Sequence, residues 1–165
     1  MNFPICESDA FEKVLCDSCK QKLSSGIISS GDVASSELLA ELSKTFPIQD
    51  VDFVQSVDLD ETRLLVCRGS IGSLIGKEGK VVSEISKRFG KRVRIVEQSK
   101  SIKKTVQDLV GKARVLGVNE LHTVQGVRYK IILSKKDGQK IGYPLPELSK
   151  AIQTITRQPC TIELD

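Results

Sequence analysis

The stretch Ile75-Gly76-Lys77-Glu78-Gly79 constrains this chain more than any other. Two glycines stand three residues apart between two runs with helical spacing. Ile71, Leu74 and Ile75 make the first run. Val81, Val82, Ile85 and Phe89 make the second. Glycine in a helix interior destabilises by about 0.5–1 kcal/mol relative to alanine. The pair therefore marks a point where the chain needs an unusual backbone angle or a backbone without a Cβ. Gly90 closes the second run, as a C-terminal glycine should. The following "KRVRIVE" alternates as a strand, with Val93 and Ile95 on one face and Arg92 and Arg94 on the other.

Charge is gathered around this stretch. Residues 1–67 hold 5 Lys/Arg against 12 Asp/Glu, a balance of −7, whereas residues 68–114 hold 13 against 4, a balance of +9. A basic block centred on paired glycines suits a polyanion; a solvated charged face is the alternative. The acidic first block suits a basic partner, or solubility alone. No apolar run approaches the ~20 residues of a membrane span. The start, "MNFPICESDAFEKV", has no basic and apolar leader, so no signal peptide and a cytoplasmic location are expected. Five cysteines, an odd number, argue against a disulfide framework.

The order of elements repeats. From Val33, Leu38, Leu39, Leu42 and Phe46 share a helical face that Pro47 ends. "VDFVQSV" and "RLLVCRG" read as a hairpin about "DLDE", followed by the glycine-bearing helix pair and its strand. Then Ile102, Val106, Leu109 and Val110 make another helix. "ARVLGVNEL" and "VRYKIIL" make another hairpin, Leu145, Leu148, Ile152 and Ile155 another helix, and "PCTIEL" a closing strand. The two units superpose with an offset of about 66 residues. Each reads α-β-β-α-α-β, an α+β class with three strands under helices. The expected organisation is a cysteine-containing leader at 1–31, a first unit at 32–98 and a second at 99–165.

In G-x-x-G the glycines allow a tight turn and leave the backbone bare. The second helix starts at the loop, so its unpaired N–H groups and positive dipole end favour phosphate oxygens. Lys77 adds a charge at the tip. Lys80, Lys87 and Arg88 follow on the helix, and Arg92 and Arg94 on the strand. Ile-Gly-Lys-x-Gly between two short helices, followed by a strand, resembles the KH module, whose GXXG loop clamps about four nucleotides of RNA backbone. Two such units in tandem, each led by a helix, resemble the type II KH pair of the NusA-like proteins, most closely the short archaeal forms. The joining segment "IVEQSKSIKKTVQDLVGKARVLGV" carries much of that likeness. The resemblance implies single-stranded RNA binding in transcription elongation or termination. Its implied contacts are Gly76, Lys77, Glu78, Gly79, Lys80, Lys87, Arg88, Arg92 and Arg94, with bases against Ile75 and Val82. RNA polymerase or ribosomal components are the expected protein partners, docked through the acidic N-terminal block and the cysteine motif. The second unit departs from the pattern. Its loop reads "IGYPLPE", with Leu145 where the second glycine should stand, and Pro144 and Pro146 remove two backbone donors. A mainly structural role is expected there.

Cys16-Asp17-Ser18-Cys19 is a C-x-x-C pair, and Cys6 with Asp9 makes a C-x-x-D. A zinc knuckle needs four ligands in two such pairs. "CDSCKQKL" resembles half of the cysteine leader of NusA-like proteins, with Asp9 in place of a thiolate. One zinc ion on Cys6, Asp9, Cys16 and Cys19 and a reduced pair in a mobile leader both stand as readings of the sequence. Cys67 and Cys160 fall on expected strands as core thiols. His122, the single histidine, has no acid–nucleophile neighbour, and no Walker, GxSxG or HExxH sequence is present. A non-enzymatic protein without a small-molecule substrate is expected. A protein-interaction adaptor with the KH units as scaffold is the alternative.

Overall fold

The structure is a computed structural model that describes all 165 residues. The chain divides into two compact units, Met1–Glu97 and Gln98–Asp165.

The first unit runs α1 (Glu7–Glu12), α2 (Asp17–Ser24), α3 (Ser30–Leu42), β1 (Val51–Leu59), β2 (Thr62–Gly69), α4 (Ile71–Ile75), a 3-10 turn (Lys77–Gly79), α5 (Lys80–Phe89) and β3 (Arg92–Glu97). The strands are ordered β1-β2-β3. β1 and β2 pair antiparallel across the two-residue loop Asp60-Glu61. β2 and β3 pair parallel. A parallel pair needs a crossover, and α4 with α5 supplies it, which places the glycine pair within that crossover. Leu39, Leu42, Phe53, Leu65, Cys67, Leu74, Val81, Ile85 and Val93 pack into one core. Ser29 and Asp32 cap α3 reciprocally. The same Asp32 carboxylate accepts the Ser56 amide at 2.6 Å and its hydroxyl at 3.0 Å, which ties α3 to β1.

Residues 1–31 show little periodicity in sequence, yet they carry two short helices, each preceded by a cysteine at its N-cap. α1 and α2 pack on α3 through a small cluster of Ile5, Ala10, Cys19, Ile28 and Ala40. Phe53 donates its amide to the Asn2 carbonyl at 2.9 Å, which fastens the chain start to β1.

The second unit runs α6 (Ile102–Val110), β4 (Val115–Thr123), β5 (Gly126–Leu133), a 3-10 stretch (Lys135–Lys140), α7 (Leu145–Thr156) and β6 (Cys160–Leu164), so the expected α-β-β-α-α-β order holds except that the 3-10 stretch replaces the first crossover helix. β4 and β5 pair antiparallel, and β5 and β6 parallel. Both hairpins carry a bulge near the start of the first strand, between Phe53 and Gln55 and between Val115 and Gly117. The hairpin strands begin 64 residues apart (Val51 to Val115, Thr62 to Gly126) and the last strands 68 apart (Arg92 to Cys160). The sequence offset of about 66 averages over a crossover that is longer in the second unit.

Candidate nucleic-acid interface and metal centre

The loop Gly76–Gly79 is built from left-handed backbone. Gly76 has φ 73 and ψ 171, a region open essentially to glycine alone. Its amide closes α4 by donating to the Gly72 carbonyl at 2.9 Å. A Cβ at this position would meet Val81, the residue that seats α5 in the core. Gly79 (φ 75, ψ 18) is the N-cap of α5. Glu78, between them, is also left-handed (φ 56, ψ 25), so three of the four loop residues have positive φ. That conformation costs a residue with a Cβ about 1–2 kcal/mol. Nothing in the sequence signals it at a glutamate. Lys77 and Glu78 both point their side chains to solvent.

The N-terminus of α5 differs from those of α3 and α6. Ser29 caps α3 and Ser101 caps α6 with side-chain oxygens. No side chain caps α5, and its first turn has no acidic residue. The Gly79 amide donates to the Gly76 carbonyl at 3.1 Å and the Lys80 amide to the Lys77 carbonyl, so an outside anion is offered the rest of the first turn and the positive end of the helix dipole, with Lys77 and Lys80 exposed beside them.

The remaining basic residues are spread away from this end. Lys87 and Arg88 lie in the last turn of α5, roughly 10 Å along the axis from Lys80 at 1.5 Å per residue. Arg88 is held by Glu84 at 3.1 Å and by Glu41 at 3.0 Å. Hydrogen bonds from Lys13 and then Arg88 hold the Glu41 carboxyl below the usual carboxylate range. Lys13, Glu41 and Arg88 thus form a surface chain from the end of α1 across α3 to α5. Arg92 is exposed at the start of β3, and Arg94 is half-buried two residues on. On the apolar side, Ile75 is 42% exposed next to the loop. Val82 and Ile95 are half-buried and rest on the core. Phe89 is half-buried too, with the Arg63 guanidinium 4.8 Å over its ring.

The second unit offers no such helix end. Pro144 is the N-cap of α7, Pro146 lies in its first turn, and Glu147 adds negative charge there. Where the first unit has α4, the 3-10 stretch is organised by the buried Asp137. Its carboxylate takes Lys140 Nζ at 2.6 Å, Arg114 Nε at 3.0 Å and the Arg114 amide at 3.2 Å. Lys140 first, then Arg114, hold this carboxyl down at about 2.

Cys6, Asp9, Cys16 and Cys19 come together, with their ligand atoms all within 4.8 Å of one another. Cys6 and Cys16 are the N-caps of α1 and α2, and Asp9 and Cys19 sit three residues on in the first turns. The Cys6 amide donates to Cys19 Sγ at 3.3 Å, and the Cys16 amide donates to Asp9 Oδ2 at 3.0 Å. Each helix start therefore bonds the ligand of the other helix, a crossed pair of outer hydrogen bonds of the kind that orients metal ligands. Cys6 Sγ lies 3.9 Å from Cys16 Sγ and 3.6 Å from Cys19 Sγ. Burial, with help from the Asp9 carboxylate, pushes the Cys19 thiol up to about 12. Hydrogen bonds from the Cys19 side chain and the Cys16 amide hold Asp9 below the usual carboxylate range. The four residues fit a metal ion. The other two cysteines, Cys67 and Cys160, are buried.

Residues 61–110 match the family model of the KH domain. The chain contains a KH domain. The matched segment includes β2, α4, the glycine loop, α5, β3 and α6, so the uncapped helix end lies inside it. A KH domain supports RNA binding in general. No curated protein matches the chain. Among solved structures it is similar to the crystal structure of APE1850, an archaeal protein, with 18% identity, a TM-score of 0.55 and coverage of 76% of this chain and 96% of that one. At that identity the likeness is one of fold. No helix is long and apolar enough to cross a membrane.

Proposed function

We propose that this protein binds single-stranded RNA through the loop Gly76–Gly79 and acts in transcription elongation or termination, in the manner of NusA-like tandem KH proteins. The observation that carries the binding reading is the N-terminus of α5, with no side-chain cap, no acidic residue in its first turn and a glycine at its N-cap. A phosphate there would accept first-turn amide hydrogens, with Lys77 and Lys80 adding charge. Bases would then lie against Ile75, Val82 and Ile95. The shared hairpin, parallel last strand and helix-bearing crossover support reading both units as type II KH folds, the second with a 3-10 stretch in place of its first crossover helix and without a working clamp. The protein is non-enzymatic and cytoplasmic in this reading, and takes no small-molecule substrate. RNA polymerase or ribosomal components are its protein partners.

Replacing Lys77 and Glu78 together by aspartate tests the clamp. Both side chains are exposed, and aspartate tolerates the left-handed backbone at position 78 better than most residues. Single-stranded RNA affinity, measured by fluorescence anisotropy, should fall at least tenfold with unchanged thermal unfolding. Unchanged affinity with normal unfolding rejects the clamp.

The metal in this reading is one zinc ion on Cys6, Asp9, Cys16 and Cys19. Sulfur ligands about 2.3 Å from a tetrahedral zinc stand about 3.8 Å from each other, and the sulfur separations of 3.6 Å and 3.9 Å bracket that value. Three soft thiolates with one carboxylate suit zinc. The ion would supply folding energy to a segment whose apolar cluster is small. Elemental analysis of protein from zinc-replete growth should give one zinc per chain; less than about 0.2 rejects the site.

The adaptor reading has one observation in its favour. Phe11, Val14 and Ile27, on the segment that carries the four ligands, are exposed apolar side chains. An isolated chain with no RNA affinity that still captures polymerase or ribosomal components would decide for it.

A further inference from the structure

Three thiols stand within reach of one another in the first 19 residues, and they differ in access. Cys6 and Cys16 are exposed, whereas Cys19 is buried. Cys6 is the hub, 3.6 Å from Cys19 Sγ and 3.9 Å from Cys16 Sγ. Cys19 also belongs to the cluster of Ile5, Ala10, Ile28 and Ala40 that holds α1 and α2 on α3. An exposed sulfur with a shielded sulfur in contact is the arrangement of an attacked cysteine and a resolving one. Cys67 and Cys160 are both buried on strands of the two sheets.

The geometry points to a thiol–disulfide switch at this centre: a peroxide-class oxidant joins Cys6 to Cys19, ejects the metal and loosens α1 and α2 from α3. The switch rests on the metal reading given above. In the first step the Cys6 thiolate attacks one oxygen of hydrogen peroxide. The O–O bond breaks, Cys6 becomes a sulfenic acid and hydroxide leaves. In the second step the Cys19 thiolate attacks the Cys6 sulfur. The S–O bond breaks, a second hydroxide leaves and the disulfide forms. The two sulfurs lose two electrons, the peroxide gains two, and the metal departs as an unchanged dication. A disulfide sulfur is a poor metal ligand, so Asp9 and Cys16 alone remain of the donor set. The Cys6 amide then loses its thiolate acceptor at Cys19, and the crossed pair of hydrogen bonds that braces the two helix starts is broken.

The test uses the full chain loaded with zinc, its content measured first. The protein is titrated with hydrogen peroxide while released zinc is followed with a chromophoric chelator. Tryptic peptides are then mapped without reduction. Cleavage after Lys13 and Lys20 separates Cys6 from the peptide that holds Cys16 and Cys19, and fragmentation tells Cys16 from Cys19. The expected result is one zinc released per chain, a mass loss of two hydrogens, a Cys6–Cys19 link, and reduced Cys67 and Cys160. Amide exchange across residues 7–24 should become at least tenfold faster, and dithiothreitol with fresh zinc should reverse it. Zinc retained at full thiol oxidation, a link between another pair, or oxidation that runs on to sulfinic acid overturns the switch and leaves the metal reading standing. A chain that takes up no zinc at the outset overturns the metal reading, and the switch with it.

Discussion

A Cβ on Gly76 would stand 2.5 Å from Cγ2 of Val81 and 3.0 Å from its backbone nitrogen. Val81 is buried in the core of the first unit, so it cannot retreat without moving α5. Gly76 thus fixes how closely the loop approaches the helix it feeds. Gly76→Ala should destabilise the first unit by about 2–3 kcal/mol, from a forbidden backbone region and a clash together. Adding Val81→Ala should recover part of the loss, read as a coupling energy in a urea double-mutant cycle. A single-variant cost below about 0.5 kcal/mol would show that the loop relaxes freely.

Glu78 is the opposite case: its backbone is left-handed but its side chain is exposed. Glu78→Gly removes left-handed strain of about 1–2 kcal/mol and gives back roughly half of it as unfolded-state entropy. A net gain of about 0.5–1 kcal/mol in urea unfolding is expected. The same variant removes a carboxylate from the proposed phosphate path. RNA affinity should rise two- to fivefold by anisotropy, and a fall would assign Glu78 a direct contact.

Ionic strength separates the basic residues. Each phosphate contact on a single strand contributes about −0.7 to the slope of log K against log salt. Lys77 and Lys80 at the helix end, with one or more of Arg92, Arg94 and Lys87, give an expected slope of roughly −2 to −3.5. Arg88 already pairs with Glu84 and Glu41, so Arg88→Ala should change the slope less than Lys77→Ala does. A slope near zero would reduce the basic block to a solvated face.

Asp137 predicts an acid limit for the second unit. Its carboxyl is held down at about 2 against an ordinary 3.8, chiefly by Lys140. A depressed carboxyl stabilises the fold above the unfolded value, and that stability is lost as pH falls through the folded one. Wild type should exceed Asp137→Asn in stability at pH 6, and the gap should close between about pH 4 and pH 2. Chemical denaturation at stepped pH, followed on residues 98–165 by NMR or exchange, checks it. A gap independent of pH would mean that shape, and not charge, accounts for the role of Asp137.

The order of elements from α3 to β3, both hairpins, and the first unit's helix pair and glycine loop were legible in the sequence, whereas α1, α2 and the 3-10 stretch of the second unit were not. They rest on local rules: period-2 strands, period-3.6 faces, and glycines where the backbone turns left-handed. The two C-x-x-ligand pairs were legible for the same reason, since a spacing of three places N-cap and first-turn residues on one side of a helix start. The hydrogen bonds that cross between them join residues 13 and 7 apart. Nothing in either segment alone foretells those bonds.

The sequence by itself determined which residues turn, which alternate and which carry charge, because those properties belong to a few neighbouring residues. Tertiary structure alone decided which charges stay available. Arg88 reads as a free cation until α3 brings Glu41 to within 3.0 Å of it, and Lys140 until Asp137 is buried against it. It also decided that the leader, featureless in hydrophobic pattern, packs on α3. Ile5, Ala10, Cys19 and Ile28 are too sparse to show a period, and they become a core only when Ala40, from a helix further along the chain, completes it.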